Sequence, residues 1–308
     1  MKLCISYNFY DENIAMLEAQ LKSASKYADQ IVVVESLFSN SQEEPKQTFP
    51  KEFIERFNID YVYLGKNDKK NSNQHLISMV RDDIDLIQIR GVDEFYTDEG
   101  MEKIFKSFED PNILHVMYRL RNFLTIRKYN SQHNINKIYV DPNPHYGKKK
   151  YRYDEKRYFL NDWMQERTFR NNVGFQFRKS PFSVCDKQGV YVYASKKYYG
   201  KRKYLPEVLC FHYTYFKTIK TKMENVNRYT NKKIKMVQIH NNLFNARNVE
   251  PFDNVKNPKD LKKYIFTYKG KIPAEIKIFE GCKCGLCDKF NEKAHKKYNK
   301  KYFDFEKL

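Results

Sequence analysis

A strand-like apolar run that ends in two neighbouring carboxylates constrains the fold most. Residues 86–89 are Leu, Ile, Gln and Ile, and Asp93 and Glu94 follow shortly after them. An apolar run closed by acids is typical of a buried strand that delivers polar groups to the edge of a sheet. Two carboxylates in this setting suit a hard divalent cation such as Mg²⁺ or Mn²⁺, and a solvated acidic turn is the alternative.

The segments around this run alternate between helix and strand patterns. Residues 2–8 predict a strand, and residues 12–26 predict a helix because apolar side chains recur at helical spacing. The β-branched run within residues 30–36 is typical of a strand covered on both faces in a parallel sheet. Further helices are predicted at 49–57 and 73–82, and further strands at 60–64 and 113–123. The predicted fold class is α/β, with an open, mainly parallel sheet flanked by helices.

The second half of the chain is richer in polar residues. Residues 161–167 predict the start of a helix with acids in its first turns, where the helix dipole favours them. Further elements are predicted at 190–194 (strand), 208–215 (strand) and 219–240 (long basic helix). We therefore expect a main domain over residues 1–250 and a small basic C-terminal lobe over residues 251–308.

The chain is strongly basic. Lys and Arg total 57 against 38 Asp and Glu, which gives a formal net charge of +19. Such an excess attracts polyanions: nucleic acid, an anionic membrane surface or nucleotide phosphates. Much of it lies in clusters at 148–150, 196–197, 201–203, 232–233 and 296–301. A solvated, lysine-rich surface would give the same composition.

The compartment is predicted from the amino terminus and the cysteines. Asn8, Asp11 and Glu12 interrupt the apolar start, so the core of a secretory signal is missing. No window approaches the length of a transmembrane helix. Six cysteines in such a chain argue against a disulfide framework. We expect a soluble, cytoplasmic protein without a transmembrane segment.

Three of the cysteines lie close together near the carboxyl terminus. Cys282, Cys284 and Cys287, followed by His295, offer three thiolates and one imidazole. Four such ligands can form a closed structural Zn²⁺ site, which has no open position for catalysis. Because only one residue separates the first two cysteines, thiols without metal, or a ligand from elsewhere in the chain, are alternatives.

Three segments of the first 235 residues carry motifs in a recognisable order. Residues 6–13, with an amphipathic helix and residues 31–36 after them, form a βαβ opening that ends in an acid. Residues 87–95 carry the two carboxylates, and residues 210–217 carry a His-Tyr pair before a helix pattern. Together they resemble the nucleotide-sugar glycosyltransferases of GT-A fold, particularly glycosyltransferase family 2 and the β-mannosyl N-acetylglucosaminyltransferase-like family. Gly91 stands where these enzymes carry the first Asp of an Asp-X-Asp-Glu metal motif.

The resemblance implies one nucleotide-sugar pocket and its residues. It implies nucleotide-sugar binding by Ser6, Asn8, Glu35, Ser36, Arg81 and Asp93. It implies a Mn²⁺ or Mg²⁺ ion on Asp93, Glu94 and His212, with one carboxylate fewer than the family carries because of Gly91. It implies a general base at Asp162, at the start of the predicted helix, with Glu166 one helical turn on as the alternative. Helix-terminus electrostatics would also explain these two acids.

These expectations describe an inverting glycosyltransferase. The enzyme would move a sugar from a nucleoside-diphosphate sugar to a hydroxyl of a saccharide, glycan or glycoconjugate acceptor, while a carboxylate removes the acceptor proton. The positive charge admits two alternatives. One is a glycosyltransferase acting on modified DNA bases, which makes DNA a further candidate partner; the other is a non-catalytic, basic nucleic-acid-binding protein on a transferase-like scaffold.

Overall fold

The computed structural model divides the chain into two compact units. It describes residues 1–10, 12–38, 48–67, 69–127, 133–139, 163–177, 184–190, 192, 195–213, 265–267 and 269–279. The first unit comprises Met1–Glu12, Leu17–Leu120 and Trp163–Cys210. The second comprises Asn13–Met16, Arg121–Asp162 and Phe211–Leu308. The predicted boundary at residue 250 stays a prediction.

The described residues form four α-helices and twelve strands. The helices are α1 (Ile14–Ala24), α2 (Lys51–Arg56), α3 (Lys69–Ser78) and α4 (Asp98–Ser107). The strands are β1 (Leu3–Phe9), β2 (Gln30–Phe38), β3 (Ile59–Asn67), β4 (Leu86–Arg90), β5 (Glu94–Phe95), β6 (His115–Arg127), β7 (His133–Tyr139), β8 (Trp163–Arg170), β9 (Gln176–Phe177), β10 (Val184–Cys185), β11 (Arg202–His212) and β12 (Ile265–Thr267). Short 3-10 helices cover Asn171–Val173, Lys196–Tyr198 and Ala274–Phe279.

The first unit is built on a parallel sheet in the order β3-β2-β1-β4. Ile5 of β1 lies between Ile31 of β2 and Gln88 of β4. The side chains on both faces of β1 and β2 are buried, which is why these strands read as continuous apolar runs. Beyond β4 the sheet continues through β8, which runs antiparallel to β4 and to β6. The predicted open, mainly parallel α/β sheet is therefore confirmed.

Helix α4 shows how the local sequence fixes a boundary. The Thr97 hydroxyl oxygen accepts a hydrogen bond from the Gly100 amide at 3.2 Å. Asp98 and Glu99 follow in the first turn, where the helix dipole favours negative charge. Met101 and Ile104 are buried on the inner face of the helix. The helix begins shortly after the 91–94 segment in the sequence, and its inner face packs against the rest of the first unit.

The second unit contains three antiparallel strand segments. Phe123 of β6 pairs with Ile138 of β7, and Ile138 pairs on its other side with Phe266 of β12. Ile276 of the last 3-10 helix is buried. The predicted basic helix at 219–240 lies outside the described residues. No described helix is long and apolar enough to cross a membrane.

Two sequence-based expectations about secondary structure are wrong. Residues 163–167 belong to strand β8 and not to a helix, because they pair with β6 and extend a strand that also pairs with β4. Within 190–194, the described residues Val190 and Val192 are not in a strand. The Val190 amide donates to Asp186 Oδ1 at 2.9 Å, so the Asp186 side chain organises a turn there.

Candidate active site

The candidate site lies where three parallel strands reach their carboxyl ends. Phe9, the last residue of β1, pairs with Glu35 of β2, and Arg90, the last residue of β4, pairs with Tyr7 of β1. The strand ends therefore meet at one edge, where open α/β sheets bind their ligands. Ser6 lies further back: it is fully buried between Val32 and Ile89, and its hydroxyl is 3.5 Å from the Gln88 carbonyl oxygen.

A tight turn over residues 91–94 follows β4. The Glu94 amide donates to the Gly91 carbonyl oxygen at 3.1 Å, and the Gly91 amide donates to Glu94 Oε2 at 3.0 Å. A Cβ atom on Gly91 would lie 2.8 Å from Asp93 Oδ1 and 3.3 Å from Glu94 Cδ. Both acidic side chains thus lie close to residue 91, and a side chain at this position would require the Asp93 carboxylate to shift.

Glu94 forms a buried ion pair with Arg167 of β8. Its Oε1 accepts from Arg167 Nη2, and the two side chains are 3% and 8% exposed. Burial, the largest single influence, lowers the pKa of Arg167, but the charge of Glu94 together with the neighbouring Tyr96, Cys210 and Tyr118 outweighs it, so the pKa is raised. Both carboxylate oxygens of Glu94 are therefore engaged, one by the arginine and one by the turn. Glu94 holds the turn in place.

Glu94 does not fit the role of a ligand to the predicted cation, because both of its carboxylate oxygens are already engaged. Among the described residues, no group of three or more His, Cys, Asp or Glu side chains is arranged to hold a metal ion. His212 ends β11 and is half-buried, and it belongs to the second unit. The Mn²⁺ or Mg²⁺ site on Asp93, Glu94 and His212 stays a prediction.

A buried polar layer lies beneath the turn. Arg90 is 2% exposed, and its Nε donates to Gln88 Oε1 at 2.6 Å. Its Nη1 donates to Gln20 Oε1 at 3.3 Å, and its guanidinium lies 4.7 Å from the centroid of the Tyr96 ring. The Gln20 amide in turn donates to the Glu94 carbonyl oxygen. No described carboxylate forms an ion pair with Arg90. Its positive charge is stabilised by the amide oxygens of Gln88 and Gln20 and by the Tyr96 ring.

Two tyrosines complete the layer. The Gln88 amide donates to the Tyr118 hydroxyl at 3.2 Å, and the Tyr96 hydroxyl donates to the same oxygen at 3.3 Å. Burial raises the pKa of Tyr118 to about 12. Sequence reasoning missed this layer. Its signal was the i, i+2 spacing of Gln88 and Arg90 inside an apolar strand, which places both side chains on one face.

Glu35 and Ser36 face opposite sides of the sheet, as successive strand residues do. Glu35 is buried, and its oxygens accept from the Phe49 amide at 3.1 Å and from the Tyr61 hydroxyl. Burial first, and then Glu35, raises the pKa of Tyr61. The Ser36 hydroxyl is 2.9 Å from that of Ser72 in α3. Their predicted contact with a nucleotide stays a prediction.

Asn8 offers an unused acceptor at the same edge. Its Nδ2 donates to Asn73 Oδ1, while its own Oδ1 is buried and has no hydrogen-bond partner among the described residues. A buried carbonyl oxygen without a donor costs free energy unless a ligand or water supplies one. Asn8 is thus equipped to accept a hydrogen bond at the strand edge.

Arg81 lies at the opposite edge. It precedes β4 in the chain, its Nε pairs with Asp83 at 3.1 Å, and its Nη2 donates to the Asp29 carbonyl oxygen at 3.2 Å. Asp29 directly precedes β2, so these groups lie at the amino ends of the strands. The structure therefore does not bring Arg81 together with Asn8, Glu35 and the turn.

The remaining predicted residues divide into two groups. Glu166 lies on β8 opposite Met117, so its expected place one helical turn beyond Asp162 is wrong. Asp162 and the predicted zinc ligands lie outside the described residues: Cys282, Cys284, Cys287 and His295. Their roles stay predictions.

Comparison with known proteins gives distant structural likenesses. No family model and no curated protein matches the sequence. A structure of residues 1–349 of Staphylococcus aureus TarS matches 80% of this chain and 70% of its own, with 8% identity and a TM-score of 0.41. A longer TarS structure matches 83% of this chain at 10% identity and a TM-score of 0.42, and this chain spans 44% of its length.

A third likeness is to glucosyl-3-phosphoglycerate synthase from Mycobacterium tuberculosis, solved in complex with Mn²⁺, UDP and glucosyl-3-phosphoglycerate. It matches 39% of this chain and 44% of its own, with 12% identity and a TM-score of 0.29. The strands agree with the α/β fold predicted from the sequence: β3, β2, β1 and β4 lie side by side in parallel, and β8 follows antiparallel.

Proposed function

We propose that this protein is a glycosyltransferase that uses a nucleoside-diphosphate sugar and a glycan or glycoconjugate acceptor. The observation that carries the proposal is the turn at 91–94, which holds Asp93 at the carboxyl edge of three parallel strands. That edge is where open α/β sheets bind their ligands. The segments that form it are also those that resemble the family.

The electrostatics of the edge suit a departing diphosphate. Negative charge develops on the diphosphate as the sugar leaves, and the protein must stabilise it with positive charge or hydrogen-bond donors. Arg90 directly precedes the turn and is buried without a described carboxylate in an ion pair with it. Its charge therefore acts through a low-dielectric interior, where electrostatic interactions are stronger than in water. We assign Arg90 a positioning and electrostatic role without direct contact to the substrate.

Asn8 supports nucleotide binding from the neighbouring strand. Its buried Oδ1 accepts no hydrogen bond from a described residue. A ribose hydroxyl or an N–H of the base would satisfy it. Replacement of Asn8 by Ala is then expected to weaken nucleotide binding about tenfold, the effect of one lost hydrogen bond of ~1.4 kcal/mol.

Asp162 remains our candidate for the general base. In an inverting transfer, a carboxylate opposite the leaving group removes the proton of the attacking hydroxyl. Support comes from the direction of β8. Because β8 runs antiparallel to β4, its amino end points toward the carboxyl edge of β4, and Asp162 directly precedes β8 in the sequence.

Calorimetric titration tests the proposal. Nucleoside diphosphates and their sugars are titrated into the wild type and into Asp93→Ala, with and without Mn²⁺. We expect at least one nucleotide to bind the wild type below millimolar concentration and the variant about tenfold more weakly or worse. Asp83→Ala is the matched control, because Asp83 is an exposed aspartate at the opposite edge, paired with Lys2 and Arg81.

The outcomes are distinct. If no nucleotide binds at millimolar concentration, the transferase proposal is rejected. If affinity is the same with and without Mn²⁺, the predicted cation has no part in donor binding. Asp162→Asn is expected to keep donor binding and to lose transfer to water or acceptor, which is measured as release of the nucleoside diphosphate. Unchanged release in that variant removes Asp162 from the proposal.

A further inference from the structure

A short surface segment, residues 195–204, combines positive charge with aromatic rings. We call it the basic–aromatic turn. It contains five Lys or Arg residues, three tyrosines and no acid. It comprises the 3-10 helix Lys196–Tyr198 and the first residues of β11. The proposed transferase chemistry makes no use of it.

Buried contacts hold the turn in one conformation. Tyr198 is 5% exposed, and its hydroxyl donates to Asp186 Oδ2 at 2.7 Å. Lys197 Nζ donates to the same oxygen at 2.7 Å. The Ser195 hydroxyl oxygen accepts from the Lys197 amide at 3.1 Å and caps the 3-10 helix. The exposed residues on either side of Tyr198 are therefore presented by a fixed backbone.

The outer surface of the turn exposes rings beside cations. Tyr199 and Tyr204 are 52% and 40% exposed, and they are two of the four large exposed hydrophobic residues in the described part of the chain. The Arg202 guanidinium lies 4.3 Å from the centroid of the Tyr199 ring. Lys196, Lys201 and Lys203 are exposed and form no ion pair with any described residue. The two rings are five residues apart in the chain, and exposed apolar surface beside charged groups is typical of interaction sites.

The basic–aromatic turn lies away from the candidate active site. The Leu114 amide donates to the Lys201 carbonyl oxygen at 2.7 Å, and the Arg170 amide donates to the Leu114 carbonyl oxygen at 2.9 Å. Arg170 pairs with Leu86, the first residue of β4. The turn therefore lies at the amino end of β4, whereas the 91–94 turn follows its carboxyl end. A ligand held here would be bound apart from the donor sugar.

We propose that the basic–aromatic turn is a binding site for single-stranded nucleic acid. Lysines neutralise backbone phosphates, and exposed rings provide faces on which unpaired bases stack. The two features occur together here on a rigid segment. The lysines would also suit an anionic membrane or an acidic glycan, and we choose unpaired bases because the turn joins exposed rings to the cations; the other two ligands are outcomes of the test.

Fluorescence anisotropy with labelled oligothymidine and oligouridine tests this proposal on the full chain. Tyr199→Ala and Tyr204→Ala are each expected to weaken binding about fivefold or more, which corresponds to ~1 kcal/mol of base stacking. Tyr199→Phe keeps the ring and should bind like the wild type. Replacement of Lys196, Lys201 and Lys203 by Gln should reduce the slope of log affinity against log salt by about 2.

Matched controls separate the turn from general basicity. Tyr63 is 53% exposed outside the turn, so Tyr63→Ala should leave oligonucleotide affinity unchanged. A triple variant of Lys2, Lys22 and Lys103 to Gln removes the same charge from paired surface lysines and should change the salt slope less. Circular dichroism on every variant shows whether the fold is retained.

Three results would overturn the proposal. They are oligonucleotide affinity that is unchanged in both Tyr→Ala variants, an equal effect of the control triple variant, and tighter binding to phosphatidylglycerol vesicles or to heparin than to either oligonucleotide. Nucleoside-diphosphate binding is measured in the same variants and should not change. A failure here therefore leaves the proposed transferase function untouched, and the reverse also holds.

Discussion

Replacing Arg167 by Met should destabilise the protein by about 3–5 kcal/mol, the usual effect of removing one partner from a buried ion pair. The pair is nearly inaccessible, with side-chain exposures of 8% for Arg167 and 3% for Glu94. Methionine retains most of the aliphatic volume, so the cavity left behind contributes little. The loss comes from a carboxylate that stays buried while its cation is gone.

A double-mutant cycle measured by urea unfolding isolates this effect. The variants are Arg167→Met, Glu94→Gln and the two together. Each single change leaves one charge buried alone, whereas the double change leaves a neutral pair. The free energy of unfolding of the double variant should therefore lie closer to the wild type than the sum of the two single losses predicts, by about 2 kcal/mol or more.

The exposed pair Lys103–Glu99 is the control for this cycle. Its atoms are 2.7 Å apart, but the side chains are 38% and 67% exposed, so Lys103→Met should have little effect on stability. The reasoning is refuted if Arg167→Met costs less than about 1 kcal/mol or if the two single losses simply add. Either result would mean that water reaches the pair.

Two further changes test the packing of the first unit. Gly91→Ala would bring a Cβ atom within 2.8 Å of Asp93 Oδ1, so it should cost about 1–3 kcal/mol in urea unfolding and weaken nucleotide binding by displacing the Asp93 side chain. Burial, and then the charge of Arg202, lowers the pKa of His115 to about 4. Because the unfolded chain takes up the proton first, wild-type stability should fall between about pH 6.5 and pH 4, and thermal unfolding of His115→Phe should show a smaller fall over that range.

Strands β1, β2 and β4 of the parallel sheet could be predicted from the sequence because they are buried on both faces. Their apolar runs are continuous, and the acid that follows each run marks its end. Strand β8, residues 163–170, could not be predicted from the sequence. The acids around residue 162 resemble a helix start, and only pairing with two strands distant in sequence makes the segment a strand. Local pattern contains no information about such partners.

The meeting of the strand ends at one edge was predictable, and the contacts among the side chains there were not. The turn after β4 was expected to present two carboxylates to a ligand. One of them, Glu94, instead pairs with Arg167, which is 73 residues away in the chain. The two side chains become partners only when β8 is in place, so neither sequence segment reveals the pairing alone. Gly91 lies beneath both acids, where a larger residue would require the Asp93 carboxylate to shift.

Arg90 has a consequence for how the first unit assembles. Its guanidinium donates to Gln20 Oε1 of α1 at 3.3 Å and to the Met101 sulfur of α4 at 3.1 Å. Strand β4 buries the Arg90 cation, so it cannot pack stably until the acceptors on α1 and α4 are in place. Truncated fragments that end before α4 should therefore remain unfolded, and β4 should join its neighbours in a single cooperative step with both helices.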